Sequence, residues 1–170
     1  MPGPEFDPQP ILEVLTRHTV DFVVIGGLAG TAHGSAFVTL DLDIAYERSR
    51  ENLERLGSTL AELGATLRGA PPGLPFQPDA DTLHAGSNFT FDTRFGSLDI
   101  LGDPSGAPRY EELRSAGSTE SLWGVTICIA SLDHLIAMKE AAGRPKDKLM
   151  ASEYRVISDL LRAPNDEEAG

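Results

Sequence analysis

The chain has 170 residues, 41% of them apolar, with 14 Lys and Arg against 26 Asp and Glu. That is the size of one ordinary domain with a core of its own, and the apolar content excludes a disordered chain. A formal charge of −12 opposes broad binding to phosphate backbones, so DNA is not an expected partner, although a local basic cleft or a metal-neutralised substrate is compatible with it.

In chain order, residues 1–9 carry three prolines and read as an irregular lead-in. MPGPEFDPQP has neither the basic nor the apolar region of a secretion signal. Residues 11–17 read as a short helix with Ile11, Leu12 and Leu15 on one face, and 20–25 as a strand. Gly26 and Gly27 break that strand, and residues 28–33 form a short helix closed by Gly34. In residues 40–46, Leu40, Leu42, Ile44 and Tyr46 alternate with Asp41, Asp43 and Ala45, the period of a strand with one buried face. Residues 49–63 form an amphipathic helix capped by Ser49 and ended by Gly64, with Leu53, Leu56, Leu60 and Leu63 in one stripe.

Residues 69–81 hold four prolines and read as a loop. Residues 88–93 and 97–101 form a hairpin turning around 94–96. A loop over 102–108, a short helix over 110–115 and a strand over 124–129 follow. Ser131 caps a helix reaching Ala142, Gly143 stops it, and Pro145 opens another reaching about Arg162. The expected organisation is a single domain over 10–162 with an acidic tail over 163–170. Its fold class is α/β (α+β), a small mixed sheet with antiparallel pairs and helices at the C-terminal end. No run approaches the roughly 18 apolar residues of a membrane span. The lone Cys128 sits in an apolar run as a packing residue. A cytoplasmic protein with no membrane partner is expected.

Asp41 and Asp43 lie two apart on a strand and project from the same face, about 6–7 Å apart. A hard cation between them takes one oxygen from each, leaving room for phosphate and water, as Mg²⁺ prefers. The competing reading is two solvated aspartates on an exposed face. Asp99, between Leu98 and Ile100, also points away from the core. Three carboxylates on one sheet face repel unless a cation joins them, and the third is placed to bind metal or take a proton. Glycines at 26 and 27 let a backbone approach a phosphate closely, or make an ordinary tight turn. Lys139 ends the apolar stripe of its helix, after Leu132, Leu135 and Ile136, and Lys146 extends the stripe of the next helix, with Arg144 between them. Such cations either snorkel to water or meet an anion. The histidines have no zinc spacing, and His33 reads as a helix-end hydrogen-bonding residue.

Together these motifs resemble the polymerase-beta-like nucleotidyltransferases. GGLAGTAHGSAFVTLDLDI, residues 26–44, is similar to that superfamily's glycine pair followed by a D-x-D strand. The HG before T-x-D-x-D narrows the likeness to the bacterial AbiEii-type group, which includes toxin components of toxin–antitoxin and phage-defence systems. GSLDIL, residues 96–101, and SLDHLIAMKEAAGRPKD, residues 131–147, resemble its third-carboxylate strand and C-terminal helix segment. The resemblance implies that Asp41, Asp43 and Asp99 bind one or two Mg²⁺, and that Asp99 also helps deprotonate the acceptor. It implies that Gly26, Gly27 and Thr39 contact the nucleotide and that Lys139, Arg144 and Lys146 neutralise its triphosphate, with Asp147 orienting them. The implied reaction moves a nucleoside monophosphate from a nucleoside triphosphate such as ATP to a hydroxyl of RNA, protein or a small molecule, with an antitoxin as a further partner. Relatives often carry an arginine two positions before the motif threonine and a polar residue after it, where this chain has Phe37 and Leu40. A catalytically weak or inactive nucleotidyltransferase-fold module that binds another protein is the alternative, and a metal-dependent phosphohydrolase is a third reading.

Overall fold

The computed structural model describes residues 3–71 and 73–163 of the chain. The expected acidic tail lies, beyond Ala163, outside the described residues. The elements in order are α1 (Pro8–Arg17), β1 (Phe22–Ile25), α2 (Gly26–Ala32), β2 (Asp41–Tyr46), α3 (Arg50–Glu62), β3 (Thr66–Leu67) and α4 (Ala80–Ala85). They continue with β4 (Asn88–Thr93), β5 (Gly96–Leu101), α5 (Tyr110–Ala116), β6 (Ser118–Leu122), β7 (Val125–Ile129), α6 (Leu132–Ala142) and α7 (Pro145–Arg162). The strands form one mixed sheet in the order β3-β4-β5-β2-β1-β7-β6, with helices collected at the C-terminal end. β2 runs parallel to β5, and β1 parallel to β7, while the remaining neighbours are antiparallel.

Strand alternation divides the sheet into two unlike faces. Register partners share a face, so Phe22, Val24, Leu42, Ile44, Tyr46, Leu98 and Ile100 make one apolar layer, all of it buried. Ile11, Leu12 and Leu15 of α1 and Leu53, Leu56 and Leu60 of α3 join this core, with α1 packed on β7 and α3. The opposite face carries Ile25, Asp41, Asp43, Ala45, Ser97 and Asp99. There α2 packs on β1, β2 and α6, and α6 packs on α7.

The start of the domain differs from the expected lead-in. α1 begins at Pro8, because proline suits the first helical position and the Asp7 side chain accepts the Gln9 amide at 3.2 Å. Gly26 and Gly27 do not separate strand from helix but open α2 themselves. Two further strands and one helix escaped the sequence signals. β6 is an edge strand of sequence STESL with no buried face to show alternation, and it turns into β7 through Trp123 and Gly124, both at positive φ. β3 is two residues long, and α4 buries only Ala80 and Leu83.

One buried side chain fixes β1 and β2 relative to α3. Asn52 is fully buried; its Oδ1 accepts the Asp21 amide at 2.7 Å, and its Nδ2 donates to the carbonyls of Asp21 at 3.0 Å and Glu47 at 2.7 Å. It ties the entry of β1 to the exit of β2, the strand that bears Asp41 and Asp43. Asn52→Ala removes these three hydrogen bonds, although the Asp21 carbonyl still accepts the Glu47 amide at 3.2 Å, and urea denaturation is expected to show a loss of about 1–3 kcal/mol.

Candidate active site

The site forms where β2 and β5 run side by side. In their register Asp41 faces Ser97 and Asp43 faces Asp99, so the three aspartates stand on one face and two of them are direct partners. The carboxyls of Asp43 and Asp99 lie within hydrogen-bonding reach of each other. The end of β1 closes the near side, where Ile25 pairs with Asp43 and the chain turns at Gly26 with φ +68°. A Cβ on Gly26 would stand 2.1 Å from Asp43 Oδ2, so only glycine lets this backbone lie against the carboxylate. Gly27 packs in the same way on Thr39, whose hydroxyl donates to the Asp41 carbonyl at 3.0 Å and shapes the entry to β2.

Burial, followed by the charges of Asp99 and Asp41, pushes the Asp43 carboxyl up to about 7, against the pull of Lys139. Burial also raises Asp99, opposed by a guanidinium the sequence did not single out. Arg68, just after β3, donates through Nη2 to Asp99 Oδ1 at 2.8 Å and to the Phe91 carbonyl at 2.9 Å, while its Nε reaches Asp92 Oδ1 at 3.3 Å. β3 is too short to advertise itself, and Arg68 is brought to Asp99 only by the pairing of β3 with β4.

A cavity of about 260 Å³ opens beside Asp43, lined by Gly26, Asn88, Lys139, Arg144 and Asp147 among others. Lys139 Nζ lies 3.4 Å from Asp147 Oδ1, and Arg144 Nε lies 2.7 Å from Asp147 Oδ2. The hydrogen bond from Arg144, then the charge of Lys139, holds the Asp147 carboxyl below its ordinary range. Asp147 is 2% exposed and so anchors both cations at the rim. Lys146 is not brought to this cavity. The buried stripe of α7 runs through Asp147, Met150, Ala151, Tyr154 and Ser158, which turns Lys146 to solvent, whereas the sequence placed it on the helix's apolar stripe. Leu149 is itself 63% exposed.

The segment before β2 carries Phe37 and Leu40. Glu153 of α7 tethers it, accepting from the Ser35 hydroxyl at 2.5 Å and the Ala36 amide at 3.1 Å. Leu40 is exposed and Phe37 is partly buried against the core. His33 caps α2, and its Nε2 donates to the Ala130 carbonyl at 2.8 Å.

Among the described residues no three His, Cys, Asp or Glu side chains form a ready-made metal cage. Asp99 is engaged by Arg68 at 2.8 Å. The donor set nevertheless fits a hard divalent cation. Asp43 and Asp99 offer only oxygen, and a buried carboxyl that keeps its proton to about 7 marks a point short of positive charge.

No protein-family model matches the sequence, and no curated protein matches it significantly. Among solved structures, the chain resembles the lincosamide antibiotic adenylyltransferase LnuA, determined with lincomycin bound, with a TM-score of 0.58 at 15% identity over 88% of this chain and 94% of that one. A candidate nucleotidyltransferase of Thermotoga maritima, TM1012, gives 0.55 at 15% identity over 86% and 88%. The antibiotic-resistance factor ANT(2'')-Ia gives 0.53 at 14% identity over 91% and 88%. These likenesses establish the architecture: the chain has the nucleotidyltransferase fold.

The raised Asp43 carboxyl makes a stability prediction. Its folded-state value lies above its ordinary 3.8, so the stability owed to the protonated form is full below about pH 4 and is lost as the pH rises through about 7. Asp43→Asn removes that loss, on the order of 1–3 kcal/mol. In chelator, calorimetry is expected to show a melting temperature about 5 °C above wild type at pH 8, with the gain shrinking towards pH 5.

Proposed function

Starting from that fold, we propose that the protein is a divalent-metal-dependent nucleotidyltransferase that moves a nucleoside monophosphate from a nucleoside triphosphate to an acceptor hydroxyl. The observation that carries the reading is the register pairing of Asp43 with Asp99, on the face of Asp41 and against the Gly26 backbone. Asp41, Asp43 and Asp99 would hold Mg²⁺. That ion, when bound, neutralises phosphate charge and steadies the attacking and leaving oxygens.

The chain's own residues do the rest. Lys139 and Arg144, held at the cavity rim by Asp147, face the triphosphate. The Cβ-free turn at Gly26 lets the main chain lie against the Asp43 carboxylate, and Thr39 packs on the neighbouring Gly27. Asp99 accepts the proton of the acceptor hydroxyl. The acceptor oxygen forms a bond to the α-phosphorus as the bond to the pyrophosphate oxygen breaks, so the products are a nucleotidylated acceptor and pyrophosphate. The position of the arginine common in relatives is Phe37 here; Arg68 pairs with Asp99 at 2.8 Å, and Lys139 and Arg144 line the cavity beside Asp43.

An affiliation with the AbiEii-type group, and an antitoxin as partner, is supported by the sequence motifs of residues 26–44, 96–101 and 131–147. An adenylyl acceptor among small molecules is supported by the likeness to LnuA.

Incubation with α-labelled nucleoside triphosphates, Mg²⁺ and cell extract is expected to give a labelled acceptor. Asp43→Ala is expected to abolish the label, and Asp99→Asn to lower the rate about a hundredfold or more. Calorimetric titration is expected to show triphosphate binding that requires Mg²⁺ and is lost in Asp43→Ala. Binding indifferent to that substitution supports the protein-binding module instead, and phosphate release without any labelled acceptor supports a hydrolase.

A further inference from the structure

Outside the site, and outside the cavity of about 540 Å³ that adjoins it over Ala45 and Leu101, half of the large exposed apolar side chains of the described residues lie on one helix. α7 buries one side through Met150, Ala151 and Tyr154, yet Leu149 is 63% exposed, Val156 58% and Leu160 70%. Their spacing of seven and then four residues sets these three in a single stripe down the helix, the repeat of a helix that packs on another helix. Glu153, beside the middle of the stripe, holds Ser35 and Ala36. It thereby brings alongside the segment that carries the exposed Val38 and Leu40.

The charges along the stripe are ordered. Lys148 and Asp159 each come immediately before a stripe residue, Leu149 and Leu160. They are eleven residues apart, which is three turns and about 20°, so they stand on the same flank, one near each end. Arg155, between them on that flank, is paired with Glu140 of α6, and Arg162 with Asp133. Lys146 falls on the opposite flank. Lys148 and Asp159 make no side-chain hydrogen bond or ion pair among the described residues; their carbonyls accept from Ser152 Oγ and the Ala163 amide.

A helix with a cation and an anion on one flank, equally far from its middle, complements itself when reversed. Two copies of α7 laid antiparallel about a two-fold axis bring like flanks together. Lys148 of each copy then meets Asp159 of the other copy, and Leu149 enters the gap between Val156 and Leu160 of the other copy. We propose that this face of α7 is covered by the same face of a second copy of the chain, packed antiparallel about a two-fold axis that passes close to Glu153. The apolar stripe supplies the attraction, while the two Lys148–Asp159 pairs at the rim fix direction and register more than affinity. A single helix pair lies at the small end of specific interfaces, so a dissociation constant of about 1–100 μM is expected. The pairing does not depend on the transfer reading.

Analytical ultracentrifugation of the full chain from about 1 to 500 μM is expected to show a reversible monomer–dimer equilibrium. Leu149→Glu combined with Leu160→Glu is expected to keep the chain monomeric throughout. Its circular dichroism and its melting temperature in dilute solution are expected to match wild type, because both side chains are exposed in the monomer. Lys148→Glu alone and Asp159→Lys alone each set like charges together and are expected to weaken self-association about tenfold. An equimolar mixture of those two variants is expected to associate nearly as well as wild type, since opposite charges then meet at both ends. The proposal is overturned if the wild type is monomeric at the highest concentration, whether or not the face then captures another protein from an extract. It is also overturned if the double glutamate variant dimerises like wild type, or if the mixture associates no better than either variant alone.

Discussion

The parallel pairing of β2 with β5 sets the central constraint of this molecule, because it places the Asp43 and Asp99 carboxyls side by side in a half-buried position. Two carboxylates in contact oppose each other's ionisation, and burial opposes it further. The protein relieves part of that cost with Arg68 on Asp99 and with Lys139 near Asp43, and the remainder shows as a proton held on Asp43 to about 7. A fold that stabilised itself alone would put apolar side chains at these positions, as it does at Ala45 two residues further on. Keeping the acids is the mark of a site adapted to added positive charge.

Much of the remaining architecture holds this pair in place. Asn52 ties one end of the β1–β2 pair, where β1 enters and β2 leaves, to α3 through three hydrogen bonds from a fully buried side chain. Gly26 lets the end of β1 lie against the Asp43 carboxylate. Behind it, Gly30 lets α2 pack on Tyr154 of α7, since a Cβ there would stand 2.3 Å from the Tyr154 hydroxyl oxygen. The α6–α7 junction then delivers Lys139 and Arg144 to one buried anchor, Asp147. Fixed cations on a rigid helix pair lose little freedom when an anion arrives, which is the condition for useful electrostatic stabilisation. Among the described residues no helix is long and apolar enough to cross a membrane.

The sheet face also explains why two cavities of different character lie together. The carboxylates and the α6–α7 cations border one, and the next register pair, Ala45 and Leu101, floors the other. A single face thus presents hard charge at one point and apolar surface one step along the strands.

The sequence by itself determined the periodic and the locally capped parts of this structure. The alternation in residues 40–46, the leucine stripe of α3, the caps at Ser49 and Ser131 and the stop at Gly143 are all written in spacings of a few residues, and so is the placing of Asp41, Asp43 and Asp99 away from the core. Only the tertiary structure decided what those spacings cannot carry. That β2 pairs with β5 in parallel, and in the register that opposes Asp43 to Asp99, depends on segments more than fifty residues apart. That Arg68 rather than Lys146 comes near the carboxylates depends on a two-residue strand and on which side of α7 faces inward. Local pattern fixes which way a side chain points from its own element, whereas the neighbours it meets are chosen by packing the whole chain into one core, a choice that no short window of residues contains.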